Sequence, residues 1–152
     1  MQNKVYEYAA SVMAQKKDIA EIPVRFREKV SDLLEKPTAV IAYVQQLKIK
    51  ELKTDRDSEE QSPVSFDGHL WDIDEKSLQR INGAIMALAD GGSIAWTGAD
   101  NEVINGVTAG ELKGVITATA FRANALHEKY RVLRDQLNAA QTLEEIFAVN
   151  WK

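Results

Sequence analysis

No cysteine occurs among the 152 residues. Disulfides, thiolate nucleophiles and cysteine-ligated metal centres are excluded by that alone. Histidine is nearly as scarce, with His69 and His127 as the two copies. They stand isolated, and a His-Glu-x-x-His metal motif begun at His127 would need a second histidine where Arg131 stands. No GxGxxG or P-loop pattern surrounds Gly91-Gly92 or Gly98, so nucleotide binding has no support. Long apolar runs are missing as well. Neither a membrane span nor a signal-peptide core is expected, and the protein is expected to be soluble and made in a cytoplasm. Charge of one sign is not in marked excess: 19 basic against 23 acidic residues give a net charge of −4. That balance argues against a nucleic-acid binder, which concentrates basic residues on one face.

What is present is a globular composition, 45% hydrophobic and 28% charged, long enough for one domain or one domain with a small extension. A chain of this length buries a modest core, which leaves room for partner chains to add to its stability. Val5, Tyr8, Ala9 and Val12 recur at helical spacing, and Lys16-Lys17-Asp18 breaks the pattern. Asp18 to Glu21 reads as a cap, Ile22-Pro23 as a stop or restart, and Phe26, Val30, Leu33 and Leu34 as the apolar face of a second helix ended by Pro37. Residues 1–36 are thus expected to form an N-terminal helical hook. Within residues 37–63, Val40, Ile41, Val44, Leu47 and Leu52 favour a third helix from Thr38 to about Lys53, although VIAYV also suits a strand. TDRDSEEQSP, residues 54–63, reads as a frayed helix end and charged linker.

Residues 64–152 carry sharper signals. Val64 to Phe66 and His69 to Trp71 flank Asp67-Gly68, a hairpin turn pair. Asp72 with Glu75 reads as a capping box opening a helix with Leu78, Ile81, Ile85 and Leu88 on one face, ended by Gly91-Gly92. Ser93 to Trp96 and Glu102 to Ile104 read as strands around a polar turn. Two further boxes, Thr108 with Glu111 and Thr142 with Glu145, open a helix of roughly 32 residues, about 48 Å, and a short last helix. The fold class expected is α+β and predominantly helical: the hook, then short hairpin strands packed with a long α-helix and a short C-terminal helix.

Along the long helix, Leu112, Ile116, Thr119, Ala123, Leu126, Tyr130, Leu133 and Leu137 alternate in steps of four and three. That is a heptad seam, either spent inside its own domain or shared with another chain. Small residues at Thr119 and Ala123 are expected to let a neighbouring helix or strand approach closely. Gly110 and Gly114 fit close packing near its start. Arg122, Lys129, Arg131 and Arg134, interleaved with Glu128 and Asp135, read as a solvated face laced with i,i+4 pairs.

Little here suggests catalysis. Asp67, Asp72, Asp74 and Glu75 lack the alternating spacing of a calcium loop, and turn and cap duties account for Asp67, Asp72 and Glu75. Trp71 and Trp96 read as core anchors, whereas Trp151 needs a surface to pack on, its own domain or a partner chain. No catalytic, metal or cofactor-binding residue is assigned; no enzyme activity and no cofactor are expected. The candidate partner-interface residues are Val5, Tyr8, Val12, Phe26 and Val30 in the hook, and Leu126, Tyr130, Leu133, Leu137 and Trp151 further on.

The order of these motifs resembles a known domain. Gly68 in the hairpin, Asp74, Ser77, Arg80 and Ile81 around the next helix start, and Trp96, Asp100 and Asn101 at the turn form its first part. Leu126, Tyr130, Leu133 and Arg134 on the long helix, then Ala140, Thr142, Glu145, Ile146 and Trp151, complete it. Together they are similar to an uncharacterised domain at the C-terminal ends of bacteriophage tail-fibre and tail-fibre-assembly proteins, over residues 64–151. The stretch from Tyr8 to Glu35 also looks like segments of phage tail-region proteins. The resemblance implies a non-enzymatic tail protein: a structural adaptor or fibre-associated subunit at the baseplate or tail tip, or alternatively an assembly chaperone absent from the particle. It implies other tail proteins as partners and the virion tail as location. The heptad seam leaves homo-oligomerisation through the long helix open, and the charge balance and the lack of long apolar runs give no expectation of nucleic acid or membrane as partner.

Overall fold

A computed structural model describes all 152 residues. It contains six α-helices and two antiparallel sheets of two strands each, so the chain is a predominantly helical α+β protein as its periodicities predict. The fold resolves into two compact units, residues 1–55 with 130–152, and residues 56–129. The divisions fall inside the two longest helices, α3 (Pro37–Glu60) and α5 (Ala109–Ala139).

In the first unit, α1 (Gln2–Met13) ends where Gln15 adopts φ 55° and the Lys16 N–H reaches back to Ser11 O at 2.9 Å. The expected cap is present: Asp18 and Glu21 exchange side-chain and backbone bonds around the 3-10 turn Ile19–Glu21. Arg27, one turn into α2 (Val24–Leu34), donates to Ile22 O at 2.7 Å and Ala20 O at 2.6 Å, which ties that turn to the helix. Pro37 opens α3 rather than merely closing α2, since a first helical residue has no use for its N–H. VIAYV is helical, with Val40 and Val44 buried at a spacing of four. The unit is completed by α6 (Leu143–Ala148), opened by the capping box of Thr142 and Glu145. Ile22, Phe26, Val30, Leu137, Ile146 and Trp151 are all buried. Each fully buried aliphatic side chain contributes about 1.5–3 kcal/mol of transfer free energy.

In the second unit, β1 (Val64–Phe66) and β2 (His69–Trp71) pair Val64 with Trp71 and Phe66 with His69. Asp67 and Gly68 both take positive φ, 50° and 75°, the conformation of a type I′ turn. β3 (Ile94–Thr97) and β4 (Val103–Val107) pair with a bulge between Ile94 and Trp96. The turn of this second hairpin docks on the first: Ala99 N–H donates to Leu70 O at 2.8 Å. Gly98 permits that approach, because a Cβ there would lie 2.9 Å from the same carbonyl. The core gathers Val64, Trp71, Ile73, Ile81, Val107 and Leu112, with Trp96 half-buried beside Trp71 at 6.3 Å between ring centroids.

Three local expectations need correction. The residue capping α4 (Glu75–Ala87) is Asp74, not Asp72: its carboxylate accepts the Ser77 N–H at 3.1 Å and the Ser77 hydroxyl at 2.7 Å. The charged stretch after Lys53 is not frayed but helical to Glu60. Its end is held by Arg122, which was expected on a solvated face. That guanidinium donates to Glu60 O at 3.0 Å, Pro63 O at 2.7 Å and Ser62 O, and contacts the Ser62 hydroxyl at 3.4 Å. The first unit uses the same device with another side chain. Gln45 donates to Leu137 O at 3.0 Å and Ala140 O at 2.9 Å, closing the C-terminal end of α5.

Candidate functional site

An open groove of about 890 Å³ lies in the second unit. Three elements shape it. The last turns of α3 supply Asp57, Glu60 and Gln61; the start of α4 supplies Ile73 through Lys76, then Leu78, Gln79 and Asn82; the middle of α5 supplies Thr119 and Ala123. The groove exists because the α5 seam is thin there. Thr119 and Ala123 do not admit a close-packed neighbour as expected; they leave a hollow that nothing in the unit fills. Thr119 donates its hydroxyl to Val115 O at 2.8 Å, so its hydrogen-bonding demand is met within the helix and its methyl group can join the apolar floor. Ile73, 4% exposed, and half-buried Leu78 complete that floor.

The rim is acidic. Asp57, Glu60, Asp74 and Glu75 face a single lysine, Lys76. Two of the four carboxylates lie against basic side chains of this unit. Asp57 accepts from adjacent Arg56 at 2.5 Å, and Glu60 Oε2 lies 3.3 Å from His127 Nε2. The Ser77 hydroxyl and amide hydrogen bonds hold the Asp74 carboxyl below the usual carboxylate range, so it is an anion at neutral pH. No group of three or more His, Asp or Glu side chains converges closely enough to hold a metal ion.

The candidate partner-interface residues are placed as follows. Val5, Phe26, Val30, Leu126, Leu137 and Trp151 are buried; Tyr8, Val12, Tyr130 and Leu133 are half-buried. In the hook, Tyr8 lies against Phe26 at 5.5 Å between ring centroids, beneath Lys17 at 5.8 Å. Six of the ten side chains named from periodicity are thus covered within this chain, Trp151 among them. The large apolar side chains on the surface are others. Phe121 is 73% exposed and Val103 60% in the second unit, and Val24 is 75% exposed in the first. Phe121 lies off the heptad seam, two residues from Thr119 and from Ala123, and so on the opposite side of α5 from the groove. A search for buried stripes passes over such residues, because they share no period with the core.

His69 is exposed at the hairpin, His127 lies beside Glu60, and neither belongs to a group of three or more His, Asp or Glu able to hold a metal ion. No helix is long and apolar enough to cross a membrane.

A family model described as Domain of unknown function (DUF4376) matches residues 43–150, more than two thirds of the chain. The match begins inside α3 and takes in the whole second unit with its groove, α5 and α6; it leaves α1 and α2 outside. No curated protein and no solved structure matches.

Proposed function

We propose that this chain, which belongs to the family described as Domain of unknown function (DUF4376), is a non-enzymatic bacteriophage tail protein. Its role in this reading is that of a structural adaptor or tail-fibre-associated subunit at the baseplate or tail tip. The observation that carries the assembly part is the groove between α3, α4 and α5. It is open to solvent, apolar at the floor and charged at the rim, which suits a polypeptide partner better than a small enclosed substrate. The tail context is supported by the motif order from Gly68 to Trp151, which is similar to that of domains closing tail-fibre and tail-fibre-assembly proteins.

Mass spectrometry of purified particles is the deciding experiment. A tail subunit is present in stoichiometric amount relative to other tail proteins and co-purifies with them. A chain missing from particles but bound to immature fibres in the infected cell is an assembly chaperone instead. A chain found in neither fraction refutes the tail reading.

A further inference from the structure

We infer that the groove of the second unit receives a basic amphipathic segment of a partner polypeptide, an apolar side chain on its floor and Lys or Arg against its rim. The inference rests on reading the groove as a protein-docking surface, and adds the chemistry of what docks there. The floor supplies the apolar half of the argument. At Thr119 and Ala123, one helical turn apart, α5 leaves unfilled the space that large seam residues occupy elsewhere. Ile73 and Leu78 face that hollow. A hollow lined in this way gains most from an inserted aliphatic side chain.

The rim supplies the sign. Four carboxylates against one ammonium leave the lining negative, even with Asp57 bonded to Arg56 and Glu60 beside His127. These acids come from two separate elements and do not converge on one point, so they suit cationic groups spaced along a chain and not a single metal ion. Whole-chain charge separates the remaining candidates. A second copy of this chain carries −4, and its approach to a negative groove is opposed, whereas a basic segment is drawn in.

The test uses the full chain and a synthetic amphipathic helix of leucine and lysine. Two control helices accompany it, one with glutamate for lysine and one with serine for leucine. The leucine–lysine helix is expected to bind, weaken with added salt, and shift the amide resonances of Leu78, Thr119 and Ala123. Ala123→Leu, which fills the floor with a good helix former, should abolish binding. The double reversal Asp57→Lys with Glu75→Lys spares the cap at Asp74 and the Glu60–His127 contact, and should weaken binding about tenfold or more. Circular dichroism confirms that each variant is folded; the charge reversal keeps the test decisive if Ala123→Leu is not. The inference is overturned if the leucine–lysine helix does not bind, if either control binds equally well, or if binding survives both sets of substitutions. It is also overturned if the wild-type chain self-associates and the same resonances shift on dilution, which would assign the groove to a second copy. Absence of the chain from tail particles would remove the tail reading and leave this result standing.

Discussion

Replacing Arg122 with alanine tests the main departure of this fold from its sequence pattern. Arg122 is the sole side chain seen bonding to the carbonyls of Glu60, Ser62 and Pro63, and its Nη atoms divide four contacts between them. A hydrogen bond from a charged donor contributes about 1.5–3 kcal/mol net when well formed. These four share two nitrogens at a half-buried site where water can replace the guanidinium, so they are not additive. About 2 kcal/mol in total is the expected loss, the lower part of the range for one such bond. In a domain of this size that corresponds to a fall in melting temperature of roughly 4–8 °C. Urea unfolding should show a lower midpoint with an unchanged slope, because the fold itself is retained. Arg122→Lys is the informative control. An ammonium keeps the favourable charge near the end of α3 but cannot span three carbonyls, so it should recover less than half of the loss. Hydrogen exchange should localise the change to the amides of residues 57–63. A loss below about 0.5 kcal/mol for Arg122→Ala, the usual range of an exposed surface substitution, would refute the clamp.

Four other outcomes follow from the same geometry. Gly114→Ala should destabilise the protein although alanine is favoured by about 1 kcal/mol inside a helix, because a methyl there overlaps the Phe66 ring; Phe66→Leu in the same chain should recover part of the loss in thermal unfolding. Leu126→Glu places a carboxylate at a position 6% exposed and should cost about 3 kcal/mol or more; a variant that stays fully folded and changes only its sedimentation would mean the seam is shared between chains. Gln45→Ala should cost about 1 kcal/mol and speed exchange near Leu137 to Ala140, whose carbonyls it serves. Asp74→Asn tests the acid limb: because the folded carboxyl titrates below its unfolded value, its contribution is complete above the ordinary aspartate range and is lost as pH falls through the lowered folded value. The stability gap between wild type and Asp74→Asn should therefore close on acidification from pH 7, and a gap independent of pH would rule out the Ser77 bonds as its source.

Where a boundary is set by neighbours in sequence, the residues alone announce it. The boxes of Thr108 with Glu111 and Thr142 with Glu145 lie within one helical turn, and both form as expected. The Asp67-Gly68 hairpin is equally local. At the start of α4 the competing acids Asp72 and Asp74 sit two residues apart, and spacing favours Asp72 with Glu75. The outcome turns on Ser77, whose hydroxyl bonds Asp74 as well as its own amide doing so, and Ile73, which is buried and fixes the entry of the chain. The extension of α3 through a charged stretch is invisible locally, because the group that ends it, Arg122, is about sixty residues away in sequence.

The groove illustrates the same limit in its most consequential form. Thr119 and Ala123 register in sequence as a thin stretch of a heptad seam, and a thin stretch has two physical outcomes: close approach of a neighbour, or a hollow. Gly114 and Phe66 show the first outcome on the same helix, where an aromatic ring occupies the space that a missing side chain leaves. Further along α5 no such ring is supplied, since the chain facing Thr119 and Ala123 is the charged end of α3 and the capped start of α4. Helix ends carry charge for reasons of their own, acids at the start of α4 answering its dipole. At the start of α4, local helix chemistry thus places carboxylates beside an unfilled apolar floor, and the proposal of a basic, amphipathic occupant rests on the pairing of the two.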